Sequence, residues 1–255
     1  MHLVCPSGPE PNQTEVREMH PLENVIWKAL TTRQAHFAES CDSARRFVQE
    51  VTSLCAFDQP NHEGYASLAK LAGSGGTAAV FLDQPYETRP GWEYIAGAPL
   101  QQMVCENGHP SPSPSASPAM VELGANDSPE MLELTALTKP GPFGSRTHEL
   151  GYYVGIRDSG KLVAMAGERM KVPGYTEVSA VCTHPDHLGK GYAAALMTEV
   201  MRSIRARGEK PFLHVRSDNA RAIALYERLG FQKRWEGHYA VLRKLAQSGD
   251  DSRVF

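Results

Sequence analysis

Two glycines flank a lysine directly before a run of helix-forming residues, in the stretch THPDHLGKGYAAAL at residues 183–196. Glycine at such a place costs roughly 0.5–1 kcal/mol relative to alanine, so a function should offset it. The first amides of a helix have no internal partners and carry the positive end of its dipole, and residues without side chains let an anion approach closely. The spacing of Gly189, Lys190 and Gly191 therefore predicts a site for a phosphate group.

Two other interpretations of this stretch are weaker. A nucleotide-triphosphate loop needs Ser or Thr after the lysine and a glycine five positions upstream of Gly189, and neither is present. Cys182, His184 and His187 are residue types that bind zinc, but no fourth partner stands at zinc spacing. We therefore expect no metal site.

The residues around the turn alternate between strand and helix patterns. Upstream, MVEL predicts a strand, NDSPEMLELTALT a helix, and YYVGIR, KLVAMAGERMKV and YTEVSAVCTH a three-stranded meander. Downstream, GYAAALMTEVMRSIRARG predicts a long helix, PFLHVRS a strand, NARAIALYERLG a helix and FQKRWEGHYAVLRKL a final pair of strands. This order predicts an α/β fold, with a mixed α+β sheet and helices on both of its faces.

The chain divides at a Pro- and Ser-rich stretch, ENGHPSPSPSASPAM. Such a composition has little to bury and predicts an extended linker over residues 107–118. Residues 19–106 contain helix and strand patterns, so we expect a smaller N-terminal α+β domain there. Residues 119–245 form the second domain. We expect residues 1–18 to be disordered and residues 246–255 to be a polar tail.

The composition is that of a soluble globular protein. Of the 255 residues 41% are hydrophobic, the formal charge is −3, and no basic run with interleaved aromatic residues marks a nucleic-acid site. No apolar run reaches the roughly 18 residues of a membrane span. The five cysteines are scattered and form no CxxC pair, which argues against a disulfide framework. We expect a cytoplasmic protein that binds neither nucleic acid nor a membrane, and its oligomeric state stays open.

Two motifs in residues 119–245 resemble the acetyl-CoA-binding core of the GNAT superfamily of N-acyltransferases. The family's first motif is Gln/Arg-x-x-Gly-x-Gly/Ala after a strand, and residues 188–193 read Leu-Gly-Lys-Gly-Tyr-Ala, with Leu188 as a departure that loses one side-chain contact. The second motif is NARAIALYERLGF, and the residues at the family's spacing are Asn219, Ala222, Tyr226, Gly230 and Phe231. The resemblance implies a GNAT-like acyl-CoA-binding fold with acetyl-CoA as co-substrate.

The resemblance also implies which residues hold acetyl-CoA. The pyrophosphate would bind to the turn and helix start formed by Leu188, Gly189, Lys190, Gly191, Tyr192 and Ala193. The preceding strand would diverge from its neighbour at a bulge and pair with the pantetheine arm through Val181, Cys182 and Thr183. An amide of this strand would stabilise the oxyanion that forms on attack, and Asn219 would bind the pantetheine amide.

The implied chemistry needs a base and an acid. An acceptor amine that resembles lysine has a pKa near about 10.4, so a base must remove a proton before the amine attacks. Glu177 lies where family members often place this base, and Tyr226 would protonate the departing thiolate. Asn219 and Tyr226 are close to two helical turns apart, so we expect them to share one helix face. We expect Cys182 to be structural, because direct transfer needs no acyl-enzyme.

The loop KPGPFGSRTHELG, residues 139–151, should overhang the acceptor site, and Phe143, Arg146 and His148 are its candidate substrate-binding residues. We expect an acetyl-CoA-dependent N-acyltransferase that acetylates a primary amine of a small molecule or amino acid by direct attack in a ternary complex. A protein or peptide N-acetyltransferase and a non-catalytic acyl-CoA sensor are the alternatives. We also expect residues 119–255 alone to keep most of their CoA binding but to lose turnover, because the N-terminal domain should help to shape the acceptor pocket.

Overall fold

The computed structural model describes residues 20–106 and 118–246. The expected disordered N-terminus, nearly all of the expected linker and all but the first residue of the expected tail lie outside these ranges. Those three expectations therefore stay predictions.

The segment before the linker begins with a helix and three short strands. Helix α1 spans Val25–Thr31, and strands β1 (Ala38–Cys41), β2 (Ala44–Phe47) and β3 (Cys55–Phe57) form a small antiparallel sheet. The segment continues with α2 (His62–Ala72), β4 (Thr77–Leu82) and β5 (Trp92–Val104). Asn61 caps α2, since its side chain accepts a hydrogen bond from the Gly64 N–H at 2.9 Å.

The segment after the linker follows the predicted order almost throughout. It contains β6 (Val121–Leu123), α3 (Ser128–Thr138) and the antiparallel meander of β7 (Tyr153–Asp158), β8 (Lys161–Val172) and β9 (Tyr175–Thr183). It ends with α4 (Tyr192–Ala206), β10 (Lys210–Arg216), α5 (Ala220–Arg228) and β11 (Gln232–Lys244). The predicted final pair of strands is wrong, because β11 is one strand that takes its partners from the first segment.

One eight-stranded sheet contains strands from both segments, in the order β4-β11-β5-β10-β9-β8-β7-β6. Its strands are antiparallel to their neighbours except for β9 and β10, which are parallel, so the sheet is mixed. Strand β5 lies between β10 and β11 and pairs with both. The linker therefore divides the chain but not this sheet, and of the first segment's strands only β1, β2 and β3 form a sheet of their own.

Helices cover both faces of the large sheet, as the sequence predicts. Leu213 and Val215 of β10 pack in a cluster with α4, whereas Phe212 packs with α1. Because successive residues of a strand point to opposite faces, α1 and α4 lie on opposite sides of the sheet. Helix α3 also lies opposite α4, since Tyr153 packs with α3 and its neighbour Val154 packs with α4. Helices α1 and α3 thus share one face.

Candidate active site

Strands β9 and β10 diverge from one another in the middle of the sheet. Within the described residues their pairing runs only from Tyr175 with Lys210 to Glu177 with Phe212, although both strands continue. A β-bulge bends β9 between Ser179 and Cys182, which pair with Gly167 and Met165 of β8. The interval of three residues on β9 therefore lies opposite an interval of two on β8, and Ala180 within it has a φ of 53°. The two strands therefore border an opening, as the resemblance implies.

The glycine-containing turn leads from β9 to the N-terminus of α4. Gly189 and Gly191 have φ values of 80° and 77°, in the left-handed region that favours glycine, and a Cβ on either would meet no atom within 4 Å. Among the residues that the structure describes, the N–H groups of residues 189–194 donate to no protein acceptor. A run of free N–H groups at the start of a 15-residue helix fits the pyrophosphate of acetyl-CoA.

The side chains around this turn leave it open. Leu188 is 51% exposed. Lys190 is exposed as well, with its ammonium group 5.9 Å from the ring centroid of Tyr192. Ala193 has only a methyl side chain and is half-buried in the first turn of α4. The turn thus presents backbone and one cation to a ligand.

The predicted pantetheine-binding residues lie along β9 beside the opening. Val181 packs against the cluster under α4, and Thr183 pairs with Ala164 of β8. Cys182 packs on the opposite face in the cluster around α3, where burial raises the pKa of its thiol to about 11. A buried, protonated thiol is a poor nucleophile, which supports the structural role expected for this cysteine.

Helix α5 carries the predicted acid on the face that α4 covers. Tyr226 is half-buried against the same cluster as Val181 and Tyr192, and its ring meets Phe231 edge to face with centroids 6.2 Å apart. Burial raises the pKa of Tyr226 to about 12, so the hydroxyl is protonated at neutral pH. Its hydroxyl has no hydrogen-bond partner among the described residues, so it is free to donate to a ligand.

Asn219 precedes α5 rather than lying on it. Its side-chain oxygen accepts a hydrogen bond from the Ala222 N–H at 3.1 Å and so caps the helix. Because Asn219 is the N-cap and not a helical residue, helical spacing alone does not set its direction relative to Tyr226, and their shared face stays a prediction. Its side chain is exposed and its amide nitrogen is left to donate to a ligand.

Glu177, the predicted base, is fully buried and held by three neighbours. Arg169 of β8 donates to both carboxylate oxygens, at 2.8 and 2.7 Å, and the Met170 N–H donates at 3.3 Å. His214 of β10 lies with Nδ1 2.7 Å from Oε1. Burial opposes ionisation of Glu177, but the Arg169 guanidinium and the His214 hydrogen bond together outweigh it and lower the pKa to about 2. Glu177 is thus an ionised group that an amine cannot touch without displacing a partner.

His214 is a residue that the sequence interpretation did not include. The Glu177 carboxylate can only accept, so Nδ1 of His214 carries the hydrogen of their contact and Nε2 carries the lone pair. Nε2 lies 3.1 Å from the side-chain nitrogen of Gln102, which also donates to the Leu22 carbonyl at 3.2 Å. Arg234 donates to the Gln102 oxygen at 3.1 Å, which fixes the orientation of that amide.

A cavity of about 800 Å³ lies on the α1 face of the sheet beside His214. Its wall contains residues of α1, of the loop after β3, and of β4, β5, β10 and β11, so both segments of the chain form it. The aromatic lining residues are Trp27, Phe57, Phe81 and Trp235, and the polar ones nearest the sheet centre are Gln102 and His214. The volume is within the range of about 300–1,000 Å³ that is usual for small-molecule sites.

The candidate substrate-binding residues of the 139–151 loop do not converge. Phe143 packs edge to face on Tyr153, with centroids 6.0 Å apart, and lines a small pocket with Ala180 of the bulge. Arg146 is exposed and pairs with Glu149 at 2.7 Å. His148 has its Nδ1 buried without a partner among the described residues. Only Phe143 is placed next to the opening.

Residues 20–106 and 118–246 contain no group of three or more His, Cys, Asp or Glu side chains arranged to hold a metal ion. In the same ranges, no helix is long and apolar enough to span a membrane.

Comparison with known proteins places this geometry in a family. A family model described as FR47-like protein matches residues 153–240. A crystal structure described as an acetyltransferase from the GNAT family of Novosphingobium aromaticivorans is 36% identical with a TM-score of 0.81, over 89% of this chain and 100% of that one. The match thus extends across the linker and includes most of the first segment.

Two curated proteins match shorter stretches. N-alpha-acetyltransferase RimI of Mycobacterium tuberculosis is 39% identical over 85 residues, which is 32% of this chain and 52% of that protein. Mycothiol acetyltransferase of Saccharomonospora viridis is 46% identical over 57 residues, which is 22% of this chain and 19% of that protein. The matched regions therefore span about half of one curated relative and less of the other.

Proposed function

Because the chain belongs to the GNAT family of acetyltransferases, we propose that it is an acetyl-CoA-dependent N-acyltransferase. It transfers the acetyl group to a primary amine of a small molecule or amino acid by direct attack in a ternary complex. The observation that carries this proposal is the run of free N–H groups at residues 189–194, next to the opening between β9 and β10. These two features meet where β9 leads into α4 through the glycine-containing turn.

Residues of the turn and of β9 would hold acetyl-CoA. The N–H groups from Gly189 to Ala193 would bind the pyrophosphate, with Lys190 adding a positive charge beside them. The free edge of β9 at residues 181–183 would pair with the pantetheine arm as an added strand does, and Asn219 would donate to it from its amide nitrogen. When bound, acetyl-CoA supplies an acetyl group activated as a thioester.

The chain's own groups would stabilise the reaction on both sides of the opening. A β9 N–H beyond the bulge would donate to the oxyanion that forms when the amine attacks. The Tyr226 hydroxyl would donate to the departing sulfur from the α5 face, and its raised pKa keeps it protonated for this role. Glu177 stays the predicted origin of base catalysis, although its burial means that it must act through a neighbour.

A small acceptor is favoured by the volume of the cavity on the α1 face. Both segments line it, and its volume of about 800 Å³ matches a small molecule. The second candidate function is N-acetylation of a protein or peptide N-terminus, which the similarity to RimI over 85 residues favours. The third, a non-catalytic acyl-CoA sensor, would bind the same co-substrate without turning it over.

The experiment is a thiol-release assay with acetyl-CoA and a panel of primary amines, amino acids and peptides with free N-termini. The expected result is stoichiometric release of CoA with at least one small amine, and an acetylated product with the matching mass. Activity with peptides alone would establish the second candidate function. Binding of acetyl-CoA without thiol release from any acceptor would leave only the sensor.

A further inference from the structure

His214 links the cavity on the α1 face to the opening between β9 and β10. It lies two residues beyond Phe212, the last residue of β10 that pairs with β9, and it also lines the cavity. Its side chain is 2% exposed, so only its edge reaches the cavity. A molecule in the cavity would therefore have one basic nitrogen near the point where the two strands part.

The hydrogen bonds around His214 set its tautomer. Nδ1–H donates to Glu177 of β9, whose other oxygen is bound by Arg169 of β8. Nε2 is left with its lone pair and faces Gln102 of β5, which is oriented by Arg234 of β11. In this arrangement Nε2 can accept a proton while the Glu177 carboxylate holds Nδ1–H. The carboxylate also stabilises the imidazolium that forms when Nε2 is protonated.

The Tyr226 hydroxyl lies on the other face of the same sheet. Tyr226 packs with the α4 cluster, whereas His214 lines the cavity beside α1. A base on one face and a proton donor on the other, with the parted strands between them, suit a reaction in which the amine attacks the thioester carbonyl from the α1 side and the thiolate departs towards the α5 side.

The cavity wall combines aromatic side chains with a small excess of carboxylates. Trp27, Phe57, Phe81 and Trp235 supply aromatic surface, which binds both hydrocarbon and ammonium groups. The charged lining residues are Glu23, Asp58 and Asp83 against Lys28 and Arg234, so carboxylates are in excess. Arg234 donates a hydrogen bond to the side-chain oxygen of Gln102, and its Nη2 lies 3.7 Å from Oε1 of Glu23.

We propose, on the basis of the function proposed above, that this cavity binds a primary amine with an aromatic or aliphatic body and that Nε2 of His214 takes its proton. One N–H bond of the ammonium group breaks, its electron pair stays on the amine nitrogen for attack on the thioester carbonyl, and the proton forms an N–H bond with Nε2. Glu177 is then a positioning residue that holds Nδ1–H and balances the imidazolium charge. The Gln102 amide that faces Nε2 must give way to the incoming amine.

This assignment gives a defined pH dependence. His214 must be neutral to accept a proton, so kcat falls as the pH drops through its pKa. The groups that face it are Glu177, Arg169 and, through Gln102, Arg234. Burial lowers the pKa of His214 below its ordinary value, while Glu177 acts in the opposite direction. The acid limb of kcat should therefore lie below pH 6.5, the ordinary value for histidine.

His214→Asn tests the base directly. Asparagine keeps a donor near the position of Nδ1 for Glu177 and removes the basic Nε2. The expected result is a fall of about 10²–10⁴-fold in kcat near neutral pH, loss of the acid limb, partial recovery where the amine is already neutral, and an unchanged Kd for CoA. His238→Asn is the matched control, since His238 is half-buried on β11 and outside the cavity lining, and it should keep the wild-type profile.

Glu177→Gln separates positioning from direct base catalysis. A glutamine still accepts from Nδ1–H, so the proposal expects a partial loss of kcat with the acid limb moved to lower pH. If Glu177 takes the proton itself, Glu177→Gln removes the acid limb altogether and His214→Asn leaves it in place, which overturns the proposal. Thermal unfolding of each variant reports whether the unpaired Arg169 has damaged the fold, and the His214→Asn result stands independently of it.

Binding in the cavity has a readout that needs no turnover. Trp27 and Trp235 line the cavity, whereas the third tryptophan, Trp92, lies in the cluster around α2. With CoA present, phenethylamine should change tryptophan fluorescence saturably, and ethanolamine, which lacks the apolar body, should bind at least tenfold more weakly. No saturable change with phenethylamine overturns the cavity assignment. Wild-type thiol release that His214→Asn does not alter overturns the base assignment alone, and absence of thiol release from the wild type overturns the proposed function as well.

Discussion

Removal of the first segment should unfold the large sheet rather than release a smaller enzyme. In the whole chain β5 lies between β10 and β11 and pairs with both. A chain that starts at residue 118 lacks β5, so the edges of β10 and β11 that face each other lose their partner. The deletion also takes Leu100, Met103 and Val104 from the core, which are 6%, 1% and 8% exposed. Each such side chain contributes about 1.5–3 kcal/mol on burial. The three together approach the total free energy of unfolding, about 5–15 kcal/mol for a typical domain.

The assay compares residues 118–246 with the whole chain by circular dichroism, thermal unfolding and isothermal titration with CoA. In the whole chain, Met103→Ala should lower the free energy of unfolding by about 2–5 kcal/mol. The exposed Glu93→Ala on the same strand should change it by about 0.5 kcal/mol or less. A fragment that unfolds cooperatively and binds CoA as tightly as the whole chain would show that this part of the chain folds without β5, as the sequence predicts.

Three further predictions concern the site. Gly191→Ala and Gly208→Ala place a Cβ at φ values of 77° and 74°, so each should lower the free energy of unfolding by about 1 kcal/mol. Only Gly191→Ala should also weaken CoA binding in isothermal titration, because Gly208 lies outside the turn. Tyr226→Phe should keep the Kd for CoA and lower kcat about 10²–10⁴-fold in the thiol-release assay, because only the hydroxyl is lost. The pKa of Glu177 is lowered from 4.5 to about 2, so its ionised form stabilises the folded state above pH 4.5. This contribution, on the order of 3 kcal/mol in the free energy of unfolding by urea, should be lost as the pH falls from 4.5 towards 2.

Each of these predictions has a result that contradicts it. Equal loss of CoA affinity in the Gly191 and Gly208 variants would mean that the effect comes from stability and not from the turn. A Tyr226→Phe enzyme with wild-type kcat would remove the hydroxyl from the mechanism. If Glu177→Gln shows the same loss of stability between pH 4.5 and pH 2, that loss belongs to other carboxylates.

Local patterns in the sequence predict the elements that surround the nucleotide site. The meander, the turn with Gly189 and Gly191, and helices α4 and α5 all depend on residues close together in the chain, whose periodicity and turn chemistry are visible in the sequence. The family motif lies in the same turn, so the sequence alone indicates its role. The structure adds the free N–H groups and the left-handed φ values that make the turn suitable for an anion.

Long-range pairing is what the sequence does not reveal. The alternation in β5 predicts a strand but does not specify its partners, and its neighbours β10 and β11 follow more than 100 residues later. The same holds for Glu177, whose burial depends on Arg169 across a hairpin and on His214 from another strand. A single histidine in the apolar strand PFLHVR has no motif around it. The sequence does contain one indication that His214 is functional, because it is a polar residue on the same face of its strand as the apolar Phe212.

We expect acetyl-CoA to bind between β9 and β10 with its pyrophosphate at the start of α4. A crystal structure of the protein with CoA tests this most directly. The expected structure has pyrophosphate oxygens within hydrogen-bond distance of N–H groups in residues 189–194, and a pantetheine arm along the free edge of β9 beyond Glu177. A pyrophosphate bound elsewhere, with the N–H groups of Gly189 and Gly191 facing only solvent, would contradict it.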